Sequence, residues 1–184
     1  MKIMHFAVLA MLLTSLPARA QTYGLSDIPP GARPTDMTVY LQVTVSGTMN
    51  HVCVGTDVPG VMAWYLKRSE AKLFDSGKKP IGKALMQYSG IPRVRVEAIW
   101  EDAQGGKVVS APAPSGRGAL AANSDIGWQR YDVQSREGSG PIAKARSVIR
   151  ITAWRNIPYS QPCDRSRAGS ETESTFSATD LFMK

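Results

Sequence analysis

Thr38-Val39-Tyr40-Leu41-Gln42-Val43-Thr44-Val45-Ser46-Gly47-Thr48 is the stretch from which the fold is read. Apolar Val39, Leu41, Val43 and Val45 alternate with Thr38, Tyr40, Gln42 and Thr44. Successive side chains of an extended chain point to opposite sides, so a period of two residues marks a strand with one buried face. Beyond it, Gly47 to Asn50 reads as a turn. His51 to Val54 reads as the next short strand, and it carries Cys53.

The same grammar continues downstream. Met62 to Lys67, with Trp64, Tyr65 and Leu66, reads as a strand; Ser69 to Phe74 fits either a short strand or one helical turn. Asp75-Ser76-Gly77 is a turn by composition, and Lys83 to Tyr88 is a weak strand. After Ile91-Pro92, residues Val94, Val96, Ala98 and Trp100 share one face, while Arg93, Arg95 and Glu97 share the other. Glu101 to Gly106 turns the chain, and Lys107 to Ala111 returns as a hairpin. Pro112 to Ser124, rich in Pro, Gly, Ala and Ser, reads as the longest loop. Strand character resumes from Ile126 to Val133, and again from Arg146 to Trp154, where apolar residues fall on both faces. Thr172 to Met183 supplies one or two closing strands. No stretch holds a long amphipathic helix. The expected fold is mostly β: a single antiparallel sandwich or barrel-like domain over residues 38–184.

Upstream, Met1-Lys2 precedes a mainly apolar run from Ile3 to Leu16, then Pro17 and the small-residue pattern Ala18-Arg19-Ala20. This is the grammar of a secretory signal peptide over residues 1–20, with cleavage expected after Ala20. The run is short for a permanent membrane span, and no later stretch is long and apolar enough for a transmembrane helix. Residues 21–37 hold Pro29, Pro30, Pro34, Gly24 and Gly31 and read as an extended lead-in. Cleavage would remove Lys2 and Arg19 and no acid, taking the formal charge from +7 to +5. A mildly basic exported domain suits anionic partners.

Cys53 and Cys163 are the only cysteines. Outside the reducing cytoplasm two thiols on one small domain pair, and the expected disulfide closes most of the domain into one loop. In the chain-entropy account so long a loop is worth about 4–5 kcal/mol at most. The competing reading is two free buried thiols. Zinc wants four ligands, whereas two distant cysteines and one histidine remain after cleavage, so no metal and no cofactor is expected.

Candidate chemistry is sparse. His51 is the only histidine beyond the leader, two residues from Cys53 and on the same face of a strand. As a general base it needs a nucleophile and an orienting partner, and no G-x-S-x-G elbow accompanies it. Glu97, Glu101 and Asp102 crowd carboxylates into a short span, as a glycoside hydrolase would need; acids in a hairpin turn have a local hydrogen-bonding reason to be there. Trp64, Trp100, Trp128 and Trp154 are candidates for a stacking platform, against the commoner use of strand aromatics as core.

The order of several short motifs resembles a family of secreted bacterial and fungal proteins known as domain of unknown function family 3455. The segments that carry the likeness are Gly47 to Cys53, Trp64, Ala71-Lys72-Leu73-Phe74-Asp75-Ser76-Gly77, Trp100-Glu101 and Gly106-Lys107-Val108-Val109. Ala111-Pro112-Ala113-Pro114, Trp128, Ile149-Arg150-Ile151-Thr152 and Pro158 to Asp164 complete it. The chain departs from the family pattern around Met49 to Val52 and at Gly82-Lys83-Ala84, so it is a divergent member by this reading. The resemblance implies a secreted β-rich domain and the same cysteine pairing, and it implies no reaction.

The expected function is a non-catalytic binding or interaction module of the periplasm or extracellular space. Its partner would be an anionic envelope polymer, a small amphipathic ligand or a protein. The alternatives are a secreted hydrolase using His51 or a carboxylate pair, and a purely structural envelope protein.

Overall fold

The computed structural model describes residues 23–28, 30, 33–90, 95–119, 126–153 and 162–184. The eight strands are β1 (Val39–Gly55), β2 (Met62–Phe74), β3 (Pro80–Ser89), β4 (Arg95–Asp102), β5 (Lys107–Ala119), β6 (Ile126–Glu137), β7 (Ser147–Ala153) and β8 (Glu171–Met183). Each pairs antiparallel with the next, and β8 pairs back with β1, so the sheet closes into a barrel. Closure removes the free edges on which an open sheet recruits other strands.

Alternation fills the lumen. Val43 and Val45 of β1, Leu73 of β2, Met86 of β3, Trp100 of β4 and Val108 of β5 are all buried in one cluster. Small residues make room for large ones: Ala71, Ala84, Ala98 and Ala178 lie in the same cluster as Trp100, Tyr131, Phe176 and Phe182. The Trp100 ring meets Tyr131 and Phe182 edge-on, with centroids 5.4 and 6.2 Å away.

The two ends are finished differently. At one, the β6–β7 connection forms a 3-10 turn, Ile142–Lys144, and fully buried Ile142 and Ala145 join the barrel core. Asp102 holds that plug: its Oδ1 accepts from the Gln104 and Gly106 amides at 2.9 Å, and its Oδ2 from the Ile142 amide at 2.8 Å. Tyr40 donates its hydroxyl to the Pro141 carbonyl at 2.8 Å. At the other end the Cys53–Cys163 disulfide, with Cα atoms 5.5 Å apart, ties β1 to the segment before β8. The backbone of Cys53 also bonds Ser170 and Gly169 there.

A second cluster lies on the outside. Trp128, Ile149, Ile151, Leu181 and Met183 point away from the lumen and are covered by Ile28, with Tyr23, Leu25 and Met37 packed alongside. The lead-in is therefore packed against the domain, with fully buried Ile28 as its anchor. This explains the two apolar faces of β7.

The mostly β class, the barrel alternative and the disulfide stand as expected. Several boundaries do not. Gly47 to Asn50 is no turn: β1 runs unbroken through it, paired with β2 on one side and β8 on the other. A Cβ at Gly47 would lie 1.9 Å from the Glu70 carbonyl oxygen, so this glycine marks a close approach of two strands. For Ser69 to Phe74 the strand alternative holds, as the end of β2 and not as a separate short strand. Pro112 to Ala119 stays in β5, and its prolines are absorbed by a register irregularity between Pro112 and Arg117. Residues 120–124 of that expected loop lie outside the described residues. Of the one or two closing strands expected, a single one forms, in agreement with the expectation. An irregularity between Val39 and Leu41 moves Val39 to the outer cluster, while Val43 and Val45 face inward. The expected signal peptide, residues 1–20, lies outside the described residues, and among those described no helix is long and apolar enough to cross a membrane.

Candidate functional site

Cross-strand register arranges the outer wall of β1–β5 in rows. One row runs Ser46, Lys72, Lys83, Glu101, Lys107. Two residues along the strands, the next runs Thr48, Glu70, Leu85, Ile99, Val109. A charged row therefore lies beside one that is apolar over β3–β5. Between them the wall sinks into an open groove of about 630 Å³, bounded by Arg68 and Lys107. That volume is in the range of small-molecule sites. Two glycines mark close strand approaches in this part of the wall. Gly47 lets β1 crowd β2, and at Gly82 a Cβ would stand 2.2 Å from the Glu101 carbonyl oxygen, so β3 crowds β4 as well.

Four cations and two carboxylates line this groove. Arg68 pairs with Glu70, and Lys83 with Glu101 at 3.2 Å. Lys107 spends its charge on Glu137, beyond the groove, at 3.2 Å. Lys72 has no acidic partner among the described residues, and it stands directly opposite Lys83 in the β2–β3 ladder. Like charges facing each other across strands destabilise a sheet.

The lumen holds the opposite arrangement. Arg150 donates from Nε to Asp180 Oδ1 at 2.7 Å and from Nη2 to Oδ2 at 2.6 Å. Trp100 Nε1 adds a third donor to Oδ2 at 2.6 Å. The guanidinium lies 5.6 Å from the Trp100 ring centroid and 5.7 Å from that of Phe176, an arrangement favourable to a cation. Burial, the largest single influence, works against its charge, but the charge and hydrogen bonds of Asp180, with Tyr131 and Tyr88, together raise the Arg150 pKa. Tyr131 is pushed well above the usual phenol range, chiefly by burial. This network is a sealed structural core.

The expected site residues are dispersed. Trp100 is fully buried in the lumen, and Trp128, 5% exposed, is buried under the lead-in on the outside. Trp64 is partly exposed and paired with Cys53 near the disulfide. Trp154 lies outside the described residues. The rings of Trp100 and Trp128 turn no face to solvent, so their role here is packing. His51 is buried at 2% exposure, opposite Leu66 and Thr172, and desolvation lowers its pKa. Glu97 and Glu101 point outward, whereas Asp102 turns inward to its three amides. The three carboxylates do not surround a common space.

Sequence reasoning missed Lys72. Its signal is the ladder partner Lys83, which is visible only once the β2–β3 register is known. Compared with known proteins, the chain matches no protein-family model and no curated protein.

Proposed function

We propose that this protein is a non-catalytic binding module of the periplasm or extracellular space, and that the outer groove of β1–β5 takes an anionic ligand. The observation that carries this reading is the Lys72–Lys83 pair on an apolar floor, with Lys72 lacking any acidic partner among the described residues. Lys83 shares its charge with Glu101 at 3.2 Å, so the uncompensated charge of the pair is that of Lys72, and an anion beside it relieves the like-charge pairing. The leader-like N-terminus and the disulfide support export, and the ordered motifs support divergent membership of the secreted family named above.

The test is a thermal-shift screen of the oxidised protein against anionic polysaccharides, peptidoglycan fragments, lipids and nucleotides, repeated with Lys72→Glu/Lys83→Glu. A ligand at about 100 times its Kd adds about 2.7 kcal/mol, a shift easily read. Saturable stabilisation by an anion, abolished in the double variant, is the expected result. Absence of any anion-dependent shift, or an equal shift in the variant, would sink the reading.

A further inference from the structure

We infer that the ligand is a small single-chain amphiphile, its one anionic head between Lys72 and Lys83 and its apolar tail along Leu85 and Ile99. This rests on the groove reading above and narrows it. The charged row does not continue as a track for a polyanion. Beyond Lys83 comes Glu101, already bound to Lys83, and Lys107 beyond it is turned to Glu137. On the other flank Arg68 is neutralised by Glu70. A train of negative charges would meet Glu70 and Glu101 on leaving the lysine pair. A single head takes the uncompensated Lys72 and shares Lys83 with Glu101, and reaches no further carboxylate.

The tail has its own surface. Leu85, Ile99 and Val109 are consecutive ladder partners on β3, β4 and β5, all half-buried on the outer wall. With strands about 4.8 Å apart, this strip spans about 10 Å, the length of an extended chain of about eight carbons. It lies one row from the lysines, so a head and a tail joined by a few bonds reach both at once. Leu85 and Ile99 line the groove itself. Charge complementarity at one end and an apolar strip of matching length at the other commit the site to a monomeric amphiphile.

Calorimetric titration of the oxidised protein with monomeric alkyl phosphates of increasing chain length tests this. Inorganic phosphate, the matching neutral alcohols and a sulfated polysaccharide serve as comparisons. The Kd is expected to tighten about two- to fourfold per added methylene, levelling off near eight carbons. The alcohols and inorganic phosphate are expected to bind at least tenfold more weakly than octyl phosphate. Lys72→Gln is expected to weaken the whole series while keeping its chain-length slope, and Leu85→Asn to flatten the slope while leaving inorganic phosphate unchanged. Both positions are on the outer wall, and near-ultraviolet dichroism of the buried Trp100 reports whether the barrel is intact. Lysine-dependent binding with no chain-length slope, or binding of the polysaccharide alone, overturns the amphiphile and leaves the anion groove standing. Failure of every anion to bind overturns both.

Discussion

Arg150 and Lys72 are cations on the same barrel wall used in opposite ways. Arg150 points inward, is buried, and has a carboxylate made to its measure in Asp180. Lys72 points outward, faces another lysine, and has no acidic partner among the described residues. The first charge is consumed by the fold. The second is left over, and a charge left over on a concave surface is available to a ligand. Burial and pairing, more than residue type, separate the cation used by the fold from the one proposed to meet a ligand.

Removing Asp180 breaks that comparison most severely. Asp180→Ala strands a buried guanidinium and an indole N–H, and unfolding in urea should show a loss of about 3–5 kcal/mol. An Arg150→Met/Asp180→Leu double replacement should recover most of it, because neither charge is then left alone. A barrel as unstable with both replaced as with one would mean the pair does more than satisfy itself. Reducing the disulfide, or replacing both cysteines with serine, should cost about 2–4 kcal/mol without disturbing the lumen. An unchanged fluorescence spectrum of the buried tryptophans beside a lowered midpoint is the signature to look for.

His51 adds an intermediate case, a buried group whose charged form burial disfavours. Its folded pKa lies below the ordinary 6.5. The unfolded chain therefore binds more protons once the pH falls below that value. The stability from neutral His51 is full above about 6.5 and is lost as the pH falls towards the folded pKa. His51→Asn should flatten the stability profile in that window, and denaturant midpoints measured from pH 7.5 to 5 would show it.

The smallest effect sharpens the comparison most. Lys72→Glu turns a like-charge pair with Lys83 into an opposite one and should stabilise the fold by about 0.2–1 kcal/mol while abolishing anion binding. Stability and ligand affinity moving in the same direction in this variant would contradict the role assigned to Lys72.

What was legible in the sequence follows the range over which each feature is encoded. Val43 and Val45 announce an inward face by local alternation, and so do Ala98 and Trp100. Two cysteines, the only ones in the sequence, form the disulfide expected of them. Gly47 misled because a glycine reads locally as a turn, whereas its reason here is the Glu70 carbonyl of another strand. Pro112 and Pro114 misled in the same way, since a bulge that tolerates proline looks like a loop from inside one strand. The groove was illegible for a stricter reason. Lys72 and Lys83 meet only through the β2–β3 register, and that register shifts between Leu73 and Phe74. A slip of one residue would send one of them inward.

The seam between β1 and β8 has a consequence in time. Val39 pairs with Met183, so the first strand of the barrel waits for the last, and no shorter length of chain can close the circle. Contacts between segments so distant in sequence make folding slow, because the entropy of a long loop is spent before any pairing repays it. Until the thirteen residues of β8 arrive, both flanks of the sheet are open to other strands. Cys53 and Cys163 sit at this same seam, and their bond, once made, turns a slow search into a short one. The order of events, oxidation before closure or after it, therefore sets how long the unfinished sheet is exposed.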